Sequence, residues 1–217
     1  MQLIDFLRRT LSFSRGVVLG MPQDAQERDP VDFFGEWFQA ADDAGLLMPE
    51  AMSLATADVN GKPSSRMVLM KSFDHEGFVF FTNYGSRKAG ELDSNPQAAL
   101  LFHWAQLQRQ VRIEGSVERV THQESLDYFR TRIRGSQIGA WASRQSQPLR
   151  GRHELEQREQ EMAQRFEGQD VPLPDFWGGY RLRPDYFEFW QGRVNRLHDR
   201  VCFIRDGDGW ETLRRYP

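Results

Sequence analysis

Arg196, His198 and Arg200 recur at every second position of Arg196-Leu197-His198-Asp199-Arg200, which reads on into the apolar Val201-Cys202-Phe203-Ile204. That continuation predicts a strand, in which alternate side chains share a face, so the three basic residues would point one way and Asp199 the other. Like charges in a row repel unless an anion, a carboxylate or water answers them. A bound anion and a solvated edge strand both satisfy the pattern, and the rest of the chain must decide between them.

Other cations stand in equally unusual places. Gly85-Ser86-Arg87-Lys88 opens a short predicted helix ending near Asn95-Pro96, and a helix N-terminus favours acids by a few tenths to about 1 kcal/mol each. Two cations there fit best if an anion docks at that end, a phosphate being the usual one. Arg66 and Lys71 bracket the apolar Met67-Val68-Leu69-Met70; five residues apart they lie on opposite faces of an ideal strand, so one shared ligand requires a bulge or twist. Tyr128 and Arg132 are four apart on a predicted helix, and Ser136 extends their face if the helix continues. A phenol, a guanidinium and a hydroxyl together suit a second phosphate. Gln110, Gln145 and Ser146 are polar residues whose spacing shows no mechanism, and Trp190 ends an aromatic strand where core packing is the commoner role. The sequence holds no zinc-ligand spacing, Ser/His/Asp arrangement or P-loop.

The elements that must position these residues follow from periodicity and turn signals. Residues 1–28 show no firm period and are expected to form an N-terminal arm. Asp29-Pro30 starts a helix with Phe33, Phe34, Trp37, Phe38 and Ala41 on one face up to Gly45. Strands are predicted over Ala51 to Ala57, Ser64 to Phe73 and Phe78 to Thr82, joined at Asn60-Gly61 and at Asp74-His75-Glu76-Gly77. Two more follow over Ala98 to Trp104 and Arg109 to Val120. Thr121 with Glu124 forms a capping-box signature for a helix to about Arg132. From Tyr128 to His153 there is no acidic residue. A polar helix from about Arg152 to Phe166 and the linker Val171-Pro172-Leu173-Pro174 lead to strands near Gly179 to Leu182 and Tyr186 to Trp190, the Arg196 stretch, and a hairpin at Asp206-Gly207-Asp208-Gly209. Many short strands with a few helices predict a mainly β chain with flanking helices, an antiparallel barrel of the α+β kind. A dinucleotide-binding sheet is disfavoured, because no Gly-x-Gly-x-x-Gly follows a strand.

The bulk numbers narrow the function. At 217 residues the chain suits one domain, expected over 29–217. Its 28 Lys plus Arg against 31 Asp plus Glu leave a net charge of -3, so no global field draws it to nucleic acid or an anionic membrane. The single cysteine, Cys202, excludes an intrachain disulfide and suits a reducing cytoplasm. No apolar run approaches the roughly 20 residues of a membrane span, and no signal-peptide core is visible.

Read together, Arg66-Met67-Val68-Leu69-Met70-Lys71, Phe81-Thr82-Asn83-Tyr84-Gly85-Ser86-Arg87-Lys88, Gly135-Ser136-Gln137-Ile138-Gly139-Ala140-Trp141, Phe176-Trp177-Gly178-Gly179-Tyr180 and Phe189-Trp190-Gln191-Gly192, followed by Arg196-Leu197-His198-Asp199-Arg200, resemble the pyridoxine/pyridoxamine 5′-phosphate oxidase family. The resemblance runs from about residue 29 onward. It implies a homodimeric FMN-binding split barrel, with flavin at the subunit interface, that oxidises pyridoxamine or pyridoxine 5′-phosphate to pyridoxal 5′-phosphate. The electrons pass to O2, giving H2O2, and ammonia leaves from the amine. Carried over by position, FMN would meet Arg66, Met67, Val68, Leu69, Met70, Lys71, Phe81, Thr82, Arg87, Lys88, Gln110, Gln145, Ser146, Trp190 and Arg200. The substrate phosphate would meet Lys71, Tyr128, Arg132 and Ser136. Arg196 and His198 would be catalytic, holding the substrate ring on the flavin face for hydride transfer, with His198 also suited to accept or relay a proton. The resemblance also departs in three places: Thr10-Leu11 follows Arg8-Arg9 where the family carries a tyrosine, Ile133 replaces a usual proline, and the ending reads Arg214-Arg215-Tyr216-Pro217. Two alternatives are a related split-barrel oxidase of the phenazine type and a non-enzymatic carrier of flavin or vitamin B6 compounds.

Overall fold

The computed structural model describes residues 20–217. The first helix of the described residues, α1 (Pro30–Asp43), begins where Asp29 accepts hydrogen bonds from the Val31 and Asp32 amides. Its aromatic face is buried: Phe33 lies 4.4 Å from Phe189 and Phe34 lies 5.0 Å from Phe78, centroid to centroid. Each such ring contributes about 1.5–3 kcal/mol by leaving water. Residues 1–19, including most of the expected arm and Arg8-Arg9, lie outside the described residues. Within 20–28, Met21 and Ala25 are buried in the main core.

Among the described residues nine strands form one antiparallel sheet: β1 (Ala51–Ala57), β2 (Pro63–Leu69), β3 (Ser72–Asp74), β4 (Gly77–Asn83), β5 (Gln97–Trp104), β6 (Arg109–Arg119), β7 (Trp177–Gln191), β8 (Asp199–Asp206) and β9 (Gly209–Arg214). The order is β2-β1-β5-β6-β7-β4-β3, with β8 and β9 branching from β7. The sheet forks because β7 is long. Its first part pairs with β4 and its last part with β8, while β6 follows it throughout. The inner face carries Leu100, Phe102, Val111, Ile113, Phe187, Phe189, Val201 and Phe203, all fully buried.

Four helices follow α1 outside the strands: α2 (Arg87–Ser94), α3 (His122–Thr131), α4 (Arg134–Ala142) and α5 (Arg152–Arg165). The Thr121–Glu124 capping box is present at the start of α3. The last three helices build a smaller core in which Phe129, Ile138, Phe166 and Trp177 are buried together.

Four local features depart from the sequence reading. The expected strand from Ser64 to Phe73 is two, because the Met70 amide bonds to Glu50 O and the Lys71 amide to Val79 O, handing the chain from the β1 side of the sheet to the β4 side. The two strands expected near Gly179 and Tyr186 are one, since a bulge at Glu114/Gly115 sets Gly115 opposite Pro184 and relieves the ladder where proline lacks an N–H. Helix α4 was not anticipated; the chain leaves α3 through an extended Arg132 and starts again after Ile133, so Tyr128, Arg132 and Ser136 do not share one continuous helix. Arg196 and His198 precede β8 rather than belonging to it, because Val194–Arg196 forms a short turn.

Candidate functional site

The first group of predicted site residues meets where β2, β4, α2 and the loop after α4 come together. Lys88, in the first turn of α2, is buried, and its ammonium donates to Gln145 Oε1 at 2.7 Å, Thr82 Oγ1 at 3.0 Å and Ser86 Oγ at 3.3 Å. All three acceptors are neutral. Burial, and then the charge of nearby Arg66, lower its pKa to about 8. Ser86 gives no side-chain cap to α2, so the helix end keeps its affinity for an anion.

The other two cations of this group are already answered. Arg87 Nε donates to Glu91 Oε1 at 2.7 Å, one turn along the same helix, and Arg66 reaches Glu91 Oε2 at 3.2 Å and Thr56 Oγ1 at 2.5 Å. A cation in the first turn of a helix therefore did not require a ligand in the case of Arg87. Sequence reasoning passed over Glu91, although the Arg87 to Glu91 spacing of four was a visible signal.

Beside this group lies a stack of aromatic rings. Phe81 packs on Tyr128 at 4.1 Å and on Trp177 at 5.5 Å, nearly parallel to both, and the Arg132 guanidinium sits 4.7 Å from the Trp177 ring centre. Arg132 Nη1 is buried with no hydrogen-bond partner among the described residues, a rare condition for a guanidinium nitrogen and one that an anion would relieve. Burial lowers the Arg132 pKa, partly opposed by Tyr128. Ser136 stands half-buried in the first turn of α4, and Lys71 is exposed at the β2–β3 junction.

The second group lies on the outer face of the sheet. Gln110 pairs with Trp190 and Trp190 with Arg200, so the three share a row across β6, β7 and β8. His198 packs on Trp190 at 4.5 Å, and its Nδ1 accepts the Arg193 amide at 3.1 Å. Arg196 is exposed and, with Asn195, holds a positive φ (60° and 57°), a conformation costing such residues of order 1–3 kcal/mol. Arg200 is not one of three unanswered charges: Glu188 on β7 takes it in a two-pronged contact of 2.8 and 2.9 Å and also binds Arg112 at 2.9 Å. Asp199 in turn pairs with Arg193 at 2.6 Å. Burial pushes the Glu188 carboxyl up, but Arg200 and Arg112 outweigh it and hold the pKa at about 2.

Within one chain the two groups stay apart. Thr82 pairs with Gly178 near the start of β7 and Gln110 with Trp190 near its end, twelve residues later (190 less 178), or about 40 Å of strand path. Of the apolar stretch between Arg66 and Lys71, Met67 is 65% exposed, Val68 and Leu69 are half-buried and Met70 is buried. Ser146 is exposed with φ 70° in the loop after α4.

Residues 38–166 match the family model described as pyridoxamine 5′-phosphate oxidase, and residues 177–217 match the pyridoxine 5′-phosphate oxidase C-terminal dimerisation region. The chain belongs to the pyridoxamine 5′-phosphate oxidase family. A family member from Rubrobacter xylanophilus named pyridoxine/pyridoxamine 5′-phosphate oxidase is 57% identical over 91% of each chain. One of the same name from Colwellia psychrerythraea is 54% identical over the full length of both. Among solved structures, PhzG from Burkholderia lata in complex with tetrahydrophenazine-1-carboxylic acid has a TM-score of 0.86 and 31% identity, covering 91% of this chain and 98% of its own. A pyridoxamine 5′-phosphate oxidase-related, FMN binding protein from Nostoc punctiforme has a TM-score of 0.69 at 16% identity, a likeness of fold. The family's split barrel is the architecture described above, with β7, β8 and β9 making up the dimerisation region. Among the described residues no helix is long and apolar enough to cross a membrane.

Proposed function

We propose that the protein is a cytoplasmic, homodimeric FMN-dependent oxidase that converts pyridoxamine or pyridoxine 5′-phosphate to pyridoxal 5′-phosphate, reducing O2 to H2O2 and releasing ammonia from the amine. The observation that carries the reading is a pair of cations that meet no carboxylate among the described residues: buried Lys88 with only neutral acceptors at an uncapped helix end, and Arg132 with a buried, unpartnered nitrogen. Two phosphate esters, one on the cofactor and one on the substrate, answer two such sites. The family relatives at 54–57% identity carry the same activity in their names.

Arg66, Met67, Val68, Leu69, Met70, Lys71, Phe81, Thr82, Arg87, Lys88, Gln145 and Ser146 would hold FMN from one chain. Gln110, Trp190 and Arg200 would hold it from the other, since about 40 Å of β7 separates the groups within a chain and the C-terminal part is a dimerisation region. When bound, FMN supplies the two-electron chemistry and the route to O2.

The chain's own residues do the rest. Tyr128, Arg132, Ser136 and Lys71 bind the substrate phosphate, and Arg132 gains the partner its Nη1 lacks. Arg196 lies on the substrate ring and neutralises charge there. With Nδ1 of His198 engaged by the Arg193 amide, Nε2 is the ring nitrogen left to meet the substrate. Positioning is most of what these groups contribute.

Turnover of pyridoxamine 5′-phosphate under air at rising FMN tests the reading, and absence of pyridoxal 5′-phosphate at saturating FMN contradicts it. The phenazine-type alternative is favoured only by fold likeness at 31% identity. Arg132, with its unanswered guanidinium nitrogen and Tyr128 close enough to act on its charge, speaks for a phosphorylated substrate.

A further inference from the structure

We propose that Glu91 is a positioning residue for the cofactor phosphate: it locks Arg66 and Arg87 in the orientation that, together with Lys88, receives that group. The inference rests on the FMN reading above and extends it to a residue that touches no ligand.

The geometry is unusually convergent. Glu91 is 6% exposed, and four donors from three elements meet its carboxylate. Thr56 Oγ1 on β1 donates at 2.5 Å and Ser64 Oγ on β2 at 2.6 Å, both to Oε2; Arg66 joins the same oxygen, and Arg87 takes Oε1. Both hydroxyls also accept from Arg66, so their proton directions are fixed: each donates to Glu91 and receives from the guanidinium. Arg66 is therefore gripped at both terminal nitrogens, and its rotamer is set before any ligand arrives. Arg87, 56% exposed in its side chain, would sample solvent freely without the carboxylate one turn below it.

Charge counting points the same way. Arg66, Arg87 and Lys88 bring three positive charges and Glu91 one negative, leaving two, which match the roughly −1.5 to −2 of a phosphate monoester at neutral pH. Without Glu91, three cations would crowd one another around the helix end, where burial and then the charge of Arg66 already lower the Lys88 pKa. The hydrogen bonds from Ser64, Thr56, Arg87 and Arg66 overcome the effect of burial and hold the Glu91 carboxyl at about 2, so it is ionised throughout the working range.

The test compares two flavins that differ only in the phosphate. FMN and riboflavin are titrated into apoprotein by flavin fluorescence, for the wild type and for Glu91→Gln, an isosteric change that removes the charge. A positioning role predicts that FMN binding weakens about tenfold or more while riboflavin binding changes less than about twofold. Equal weakening of both flavins shows a merely structural role, and unchanged or tighter FMN binding shows that Glu91 opposes the phosphate; either overturns the proposal. If Glu91→Gln does not fold, Ser64→Ala removes one hydroxyl that bridges Glu91 and Arg66, and the same selective, smaller loss is expected, with no selective loss counting against the idea. A wild-type protein that binds neither flavin overturns the FMN reading itself, an outcome distinct from a wild type that binds FMN and a variant that binds it equally well.

Discussion

The Lys88 ammonium lies 2.7 Å from Gln145 Oε1, joining the first turn of α2 to the loop after α4 by a bond from a buried cation to a neutral amide. Neutral acceptors stabilise an ammonium less than a carboxylate does, and burial with the Arg66 charge accounts for a pKa near 8 in place of 10.5. Because the folded value is depressed, the apoprotein carries a penalty for charged Lys88 that fades as pH rises from about 8 toward 10.5. A bound phosphate restores the charged form. FMN binding should therefore take up a proton above about pH 8 and weaken as pH rises, as calorimetry in buffers of different ionisation enthalpy would read. Lys88→Met should lose that pH dependence and bind FMN about 10- to 150-fold more weakly, the equivalent of 1.5–3 kcal/mol.

Arg132→Met should raise KM for pyridoxamine 5′-phosphate by about 10- to 150-fold, for the loss of one charge-assisted contact. The Kd for FMN should stay within error. Apoprotein stability should hold or rise, since a buried guanidinium nitrogen without a partner is removed. Steady-state kinetics and a urea midpoint on the same preparation check both halves.

Much of this could be read from residue types and spacing. The α1 face, the first hairpin, the capping box at Thr121 and the core strands β4, β5 and β6 followed from period and turn chemistry, because those signals are local. The fork at β7 did not, since joining two predicted strands across Pro184 depends on a bulge in a different strand. Helix α4 was hidden because two glycines, Gly135 and Gly139, weaken its pattern. The odd cations were legible as a group, but not individually. Arg66 and Arg87 turned out to be held by Glu91 and Arg200 by Glu188, whereas Lys88 and Arg132 kept the unanswered character expected of all of them. The distinction is tertiary: Glu188 reaches Arg200 only because β7 and β8 are paired, and nothing in a linear reading sets that register.

Glu91 and Glu188 each fall from 4.5 to about 2 on folding. For groups with depressed folded values the stabilisation is complete above the unfolded value and is lost as pH drops from about 4.5 toward 2. The urea midpoint should decline across that window. In Glu188→Gln, which leaves Arg200 without its carboxylate and Arg112 with Glu114 alone, the midpoint should lie well below wild type at pH 7 and approach it only near pH 2.

A Cβ on Gly115 would meet Arg183 O at 1.9 Å, against backbone that cannot swing aside. Gly115→Ala should therefore destabilise the protein by about 1–3 kcal/mol or more by forcing β6 and β7 apart at the bulge. Thermal unfolding of the apoprotein measures this without any ligand.

Arg196→Ala should be nearly inactive, and so should Lys88→Met at an FMN concentration that only just saturates the wild type. If one site takes Lys88 from one chain and Arg196 from the other, refolding an equal mixture should restore about a quarter of wild-type sites, because half the dimers are mixed and each has one intact site. No recovery would show that each site is built within a single chain.

The most direct measurement is anaerobic. The FMN-loaded wild type, mixed with pyridoxamine 5′-phosphate in the absence of O2, should lose its yellow absorbance as one pyridoxal 5′-phosphate forms per flavin, and should regain it on admitting air. A flavin band unchanged by saturating substrate would contradict the account.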